Sequence, residues 1–192
     1  MTRFDLFTTV HKGLRAALFD AVQRAGHADF SQTGEADAVA ASVRRVLPFL
    51  AEHAEHEARE IVPEIGRHSA ELAADLGADH ARTGGLEQQV LDLADRLAGA
   101  ITAERLSIGR RLSHRLAQLT AEHLRHMERE EVQANRVLWA HRTDEELAAI
   151  HGRIVAAITP SRIAEWMELL LPAVNATEGE QLRSSIAAGE PA

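Results

Sequence analysis

An all-helical fold is what this sequence predicts: an up-down-up-down four-helix bundle followed by additional C-terminal helices. Three observations carry that expectation. Alanine, leucine, arginine and glutamate, all strong helix formers, dominate the 192 residues, while β-branched residues are sparse. Apolar residues recur at helical spacing, and no stretch alternates apolar and polar for long. The breaks between periodic segments are short, and short connections make consecutive helices antiparallel neighbours.

The first helix is expected from about Phe4 to Ala25, with Phe7, Leu14, Leu18 and Ala21 on one face and Gly26 as its stop. The second follows Ser31-Gln32-Thr33-Gly34 and carries Val39, Val43, Val46, Leu47, Leu50 and Ile61. Pro48 is expected to kink it or rearrange its hydrogen bonds, and Pro63 with Gly66 to end it. Ser69 offers an N-cap for a third helix through Leu72, Leu76, Val90 and Leu97, weakened at Gly84-Gly85. The fourth runs from about Thr102 to Ala140, with Leu112, Leu116, Leu119, Val137 and Leu138 inward. Thr143-Asp144-Glu145-Glu146 then caps a shorter helix through Ile158, and Pro160 starts another containing Trp166. Residues 1–142 thus read as the bundle and 143–192 as a helical extension packed on it, frayed at Gly189 to Ala192.

Composition narrows the chemistry. The chain has eleven histidines and no cysteine, which excludes disulfides, iron-sulfur clusters, thiolate zinc sites and a cysteine nucleophile. Imidazole and carboxylate are left as metal ligands. A net charge of -8 with scattered basic residues argues against nucleic-acid binding. No apolar run approaches a membrane span, and the N-terminus lacks the features of a signal peptide, so a soluble, cytoplasmic protein is expected.

Helical phase separates the histidines. At about 100° per residue, Glu57 falls about 20° from Leu50, between Val43 and Val46, with His53 about 60° from Leu50. On the fourth helix His126 and Glu130 each lie about 20° from Leu119, while His80 is about 40° from Leu76 and His11 about 60° from Leu14. All six face the core. They also share one level: His11 and His53 are symmetric about the Ser31–Gly34 turn, Glu57 and His80 about the turn after Gly66, and His80 and His126 about Ala103. Buried carboxylates cost several kcal/mol when unpaired, and no inward lysine or arginine stands at this level. A metal resolves the conflict. His53-x3-Glu57 and His126-x3-Glu130 each stack an imidazole and a carboxylate on one helix face, and carboxylates can bridge two ions roughly 3.5–4 Å apart. Mixed nitrogen and oxygen donors suit iron, manganese or zinc alike.

These residues resemble the hemerythrin-like, or HHE cation-binding, family over roughly residues 4 to 140. The family pattern is a histidine on the first helix, His-x3-Glu on the second, a histidine on the third and His-x3-Glu or Asp on the fourth. His11, His53-Ala-Glu-His-Glu57, His80 and His126-Met-Glu-Arg-Glu130 follow it in order, and Pro63 matches a proline common after the second motif. The resemblance implies a non-haem diiron centre with bridging carboxylates, terminal histidines and a bridging oxo, hydroxo or water. Oxygen carriers in the family place a further histidine where this chain has Gly84. A coordination position is then open, or filled by water or by another group such as Glu87. A duplicated spacing, His53-x2-His56-x3-Glu60 and His123-x2-His126-x3-Glu130, keeps His56, Glu60 and His123 as second candidates, because Pro48 could rotate the second helix.

Such a centre implies a protein that binds or reacts with oxygen, peroxide or nitric oxide and, if an enzyme, a diiron oxidoreductase. The other use is a non-enzymatic iron or oxygen sensor, or iron-binding module, that signals through the C-terminal helices. No organic-substrate pocket and no docking motif for an electron donor or protein partner is recognisable. His27, His68, His114, His141 and His151 read as surface or helix-end residues, Trp139 and Trp166 as packing groups, and Glu131 as solvated or as a neighbour of the ligands.

Overall fold

Asp5 opens the first helix. Its carboxylate accepts hydrogen bonds from the amides of Phe7 (2.8 Å) and Thr8 (2.9 Å) and from the Thr8 hydroxyl (2.6 Å). Helix α1 therefore spans Thr8–His27 and begins later than its apolar residues suggest, because Asp5 takes the first free donors. In the computed structural model, which describes residues 3–187, α2 follows over Thr33–Glu60 and remains helical through Pro48. Pro63, without an amide hydrogen, separates it from the short α3 (Val62–Gly66). Ser69 caps α4 (Ala70–Ala98) by accepting from the Leu72 amide at 3.4 Å, and α4 is unbroken at Gly84-Gly85. The expected fraying at Gly189 to Ala192 lies outside the described residues.

The fourth long segment is not one helix. Helix α5 (Thr102–Arg129) runs into a π-helical turn, Glu130–Ala134, before α6 (Asn135–His141). The extra residue in that turn shifts the register beyond it, so Leu138 is buried where regular phase places Val137, which is only half-buried. Thr143 and Glu146 exchange hydrogen bonds of 2.9 and 3.3 Å at the start of α7 (Asp144–Ala156), as the capping-box pattern predicts. Pro160 opens α8 (Pro160–Leu170). A second reciprocal cap, Asn175 with Glu178, starts α9 (Ala176–Ala187).

No strand occurs among the described residues. Helix α1 packs on α2 and α5, and α4 packs on the same two, closing a ring of the four long helices. The ring is compatible with a four-helix bundle carrying extra helices. Helix α7 lies on α2 and α8 on α1, where a Cβ at Gly13 would collide with Leu170. Trp166 packs edge-on against Phe49 at 4.7 Å and donates to Glu52 at 3.2 Å; Trp139 donates to the Phe4 carbonyl at 2.8 Å. Among the described residues no helix is long and apolar enough to cross a membrane.

Among the described residues the buried apolar side chains form two clusters. The larger contains Leu14, Leu18, Val43, Leu50, Leu119 and Met127, and the smaller contains Phe7, Ile61, Ile65, Leu76, Ala134 and Leu138. On every long helix the boundary between clusters falls at the histidine and carboxylate level singled out by phase.

His27, His68, His114 and His141 are exposed, but His151 is half-buried. Its ring lies 5.9 Å from that of Phe4, its Nδ1 is enclosed without a hydrogen-bond partner, and burial pushes its pKa down to about 4 from 6.5. The unfolded chain therefore takes up this proton first as pH falls. The stability that neutral His151 contributes is complete above pH 6.5 and is lost progressively towards pH 4, with an upper limit of about 3 kcal/mol at about 1.4 kcal/mol per pKa unit. Denaturant unfolding of His151→Leu against the parent chain should show a shallower acid limb across that interval. Parallel limbs would contradict this assignment.

Candidate metal centre

The six inward residues converge. Glu57 and Glu130, each about 1% exposed, stand side by side on α2 and at the start of the π turn, and each divides its two oxygens between two pairs of histidines. On one side Glu57 Oε1 is 3.0 Å from His53 Nε2 and 3.9 Å from His11 Nε2, and Glu130 Oε2 is 3.4 Å from His11 Nε2. The two imidazole Nε2 atoms of that side are 3.1 Å apart. On the other side Glu57 Oε2 is 3.2 Å from His80 Nε2, and Glu130 Oε1 is 3.3 Å from His126 Nε2. The rings of each pair meet nearly edge to face, with centroids 5.0 and 4.5 Å apart.

Two overlapping sets of donor atoms result, His11, His53, Glu57 and Glu130, and Glu57, His80, His126 and Glu130, each within 4.8 Å of one another. Either set could hold a metal ion. Donors bound at about 2.1 Å with angles near 90–110° lie about 3.0–3.4 Å apart, which is the spacing of five of the six pairs given above, the His11–Glu57 pair at 3.9 Å being wider. The polar atoms are also unspent: both oxygens of Glu57, Oε2 of Glu130, and Nε2 of His80 and His126 are buried with no hydrogen-bond partner. In an apolar core such atoms require a cation or protons.

Charge in the cluster is strained without an ion. Burial and the charge of Glu57 push the Glu130 carboxyl up, and burial pushes the His126 and His53 imidazoles down. Burial also opposes a proton on His11, yet Glu130, Glu131 and Glu57 outweigh it and raise its pKa, and Glu57 stays low because His53, His11 and His80 outweigh its own burial. Protons on histidine thus do part of the work that a metal would do entirely.

The surroundings orient the histidines. His11 Nδ1 donates to Glu131 Oε1 at 2.9 Å, leaving Nε2 aimed into the cluster, and Glu131 is itself held by Arg15. Successive residues of a regular helix diverge by about 100°. The π turn instead lets Glu130 enter the cluster while Glu131 reaches behind His11. Asp79 Oδ2 is 3.6 Å from His126 Nδ1 and accepts from Arg129 at 3.0 Å, with Arg82 also paired to it.

The second candidates are placed elsewhere. His123 Nε2 pairs with Glu87 Oε1 at 2.9 Å, so Glu87 does not fill a position in the cluster. Glu60 faces Arg153 at 2.8 Å and Arg59 at 3.3 Å. His56 is buried but lines a chamber beside α2 rather than either donor set. α2 keeps its phase through Pro48, so no rotation exchanges these residues for His53 and Glu57. Gly84 is exposed, and a Cβ there would meet nothing within 4 Å. Asp79 was invisible to sequence reasoning; its position next to His80, in phase with Leu72, Leu76 and Thr83 on a buried face, was the available signal. No protein-family model and no curated protein matches the chain.

Glu131→Ala strips the buried His11 Nδ1 of its acceptor and should destabilise the chain by about 1–3 kcal/mol in denaturant unfolding. Glu131→Gln, whose side-chain oxygen still accepts, should recover most of that loss. Equal losses would place the effect elsewhere than in the His11 bond.

Proposed function

We propose that the chain is a non-haem diiron protein of the hemerythrin-like type, its long helices forming that family's four-helix bundle. His11, His53, His80 and His126 are terminal ligands, and Glu57 and Glu130 bridge two ions. The observation that carries the reading is the division of both buried carboxylates between two histidine pairs. A single-ion site has no use for that pattern. The choice of iron over manganese or zinc is supported by the ordered match of the four helix motifs to the family.

Each set offers four protein donors, fewer than the six of an octahedral ion, which leaves room for a small molecule such as oxygen, peroxide or nitric oxide. Bound iron would supply electron transfer and a Lewis-acidic position. The chain supplies the rest. Apolar clusters above and below keep bulk water from the carboxylates, Glu131 keeps a proton on His11 Nδ1 and fixes its ring, and Asp79 stands behind His126 with two arginines balancing its charge.

Elemental analysis of the full chain after anaerobic iron loading should find two irons, and addition of peroxide or oxygen should change the visible spectrum. The combined substitutions Glu57→Gln and Glu130→Gln should abolish two-ion loading. Chelation should lower the melting temperature of the parent chain and leave that of the variant unchanged, since an ion at 100 times its Kd stabilises by about 2.7 kcal/mol. Retention of both ions by the variant would refute the ligand set, and an unchanged spectrum would refute the reactivity.

A further inference from the structure

A chamber of about 330 Å³ separates α1 and α2 from the C-terminal helices. His53 and Glu57, which belong to one of the two donor sets, are among the residues that line it. Its walls are mainly aliphatic and aromatic, among them Val155, Ile158, Ile163, Trp166, Met167 and Leu182. The volume is within the range of small-molecule sites. At about 30 Å³ for each water it equals roughly ten waters, or an organic molecule of roughly ten to twelve non-hydrogen atoms.

The polar groups on the wall specify charge. Among the described residues no lysine or arginine lines the chamber. Its carboxylates are occupied: Asp5 caps α1, Glu178 holds Lys12 at 2.5 Å, and Glu57 belongs to the metal cluster. His151 is different. It lines the chamber as a ring that its low pKa, about 4, keeps neutral at physiological pH, and Thr9, His56 and Gln181 add further polar side chains to the wall. A carboxylate or phosphate entering here would lose its hydration and find no cation, whereas a hydroxyl or carbonyl on an apolar body would find neutral polar side chains, His151 among them.

We propose that this chamber binds a neutral, largely apolar molecule with a single hydroxyl or carbonyl that pairs with His151, its other end lying against His53 and Glu57. The C-terminal helices thereby make the cluster one wall of an organic-ligand site. Only the adjacency of that ligand to a bound ion rests on the diiron reading; the binding itself does not.

The test is calorimetric titration of the full chain, as purified and iron-loaded, with 2-naphthol, naphthalene and naphthalene-2-carboxylate. 2-Naphthol should bind one to one, with a Kd on the order of micromolar to sub-millimolar for a ligand of this size, and the carboxylate should bind at least ten-fold more weakly. Ile158→Trp, which fills the chamber, should weaken 2-naphthol at least ten-fold, and Val155→Phe provides a second blocking variant should the first fail to fold. His151→Leu should weaken 2-naphthol about five-fold, the equivalent of one neutral hydrogen bond, without weakening naphthalene. Absence of 2-naphthol binding, equal binding of the carboxylate, or indifference to both blocking substitutions would overturn the proposal. Metal content measured on the same samples separates the two readings: binding without iron uptake leaves the chamber and removes the diiron centre, and iron uptake without binding does the reverse.

Discussion

Glu57 and Glu130 lie against each other in a core that excludes water, and most of what is unusual in this molecule follows from keeping them there. An unpaired carboxylate in such surroundings costs several kcal/mol, and two adjacent ones repel each other besides. Helix packing alone cannot supply the compensation. Four histidines from four helices do so in part, Glu131 fixes the outer side of His11, Asp79 stands near that of His126, and arginines balance these further acids in turn. Acids, imidazoles, further acids and arginines therefore follow one another outward from Glu57 and Glu130 to the surface.

The phase and level of the six inward residues were legible because regular helices transmit register faithfully. Turns at Ser31–Gly34, after Gly66 and near Ala103 set the levels, and the apolar stripes set the angles. What was not legible came from departures from regularity. The π turn at Glu130–Ala134 has no compositional mark, and with it Leu138 is the more deeply buried of the two residues expected inward, Val137 and Leu138, and Glu131 stands behind His11. Asp79 escaped notice because its phase with Leu72 and Leu76 marks the face it lies on but not the arginines and the histidine it meets there. His151 was misplaced for a related reason: its burial depends on how α7 lies over Phe4, a long-range contact that periodicity does not encode.

The two sides of the cluster have different neighbourhoods. His80 and His126 are backed by Asp79 and its arginines, a region of closed ion pairs. His11 and His53 are backed by Glu131 and by the chamber under the C-terminal helices. An arrangement close to symmetric in its donor atoms is thus unsymmetric in access. Helices α7, α8 and α9 add nothing to the donor sets, yet they decide what one side of the cluster meets.

The polar layer also interrupts the apolar core, which is why the buried residues fall into one cluster on each side of it. Cooperativity in small proteins is carried by continuous packing, and here that continuity is broken at the level where charge is concentrated. The layer acts as a mechanical coupling between two ends of the molecule. Each end is packed within itself, and the Phe7–Leu138 end is joined to the rest through the long helices and the polar side chains they bring together at this level.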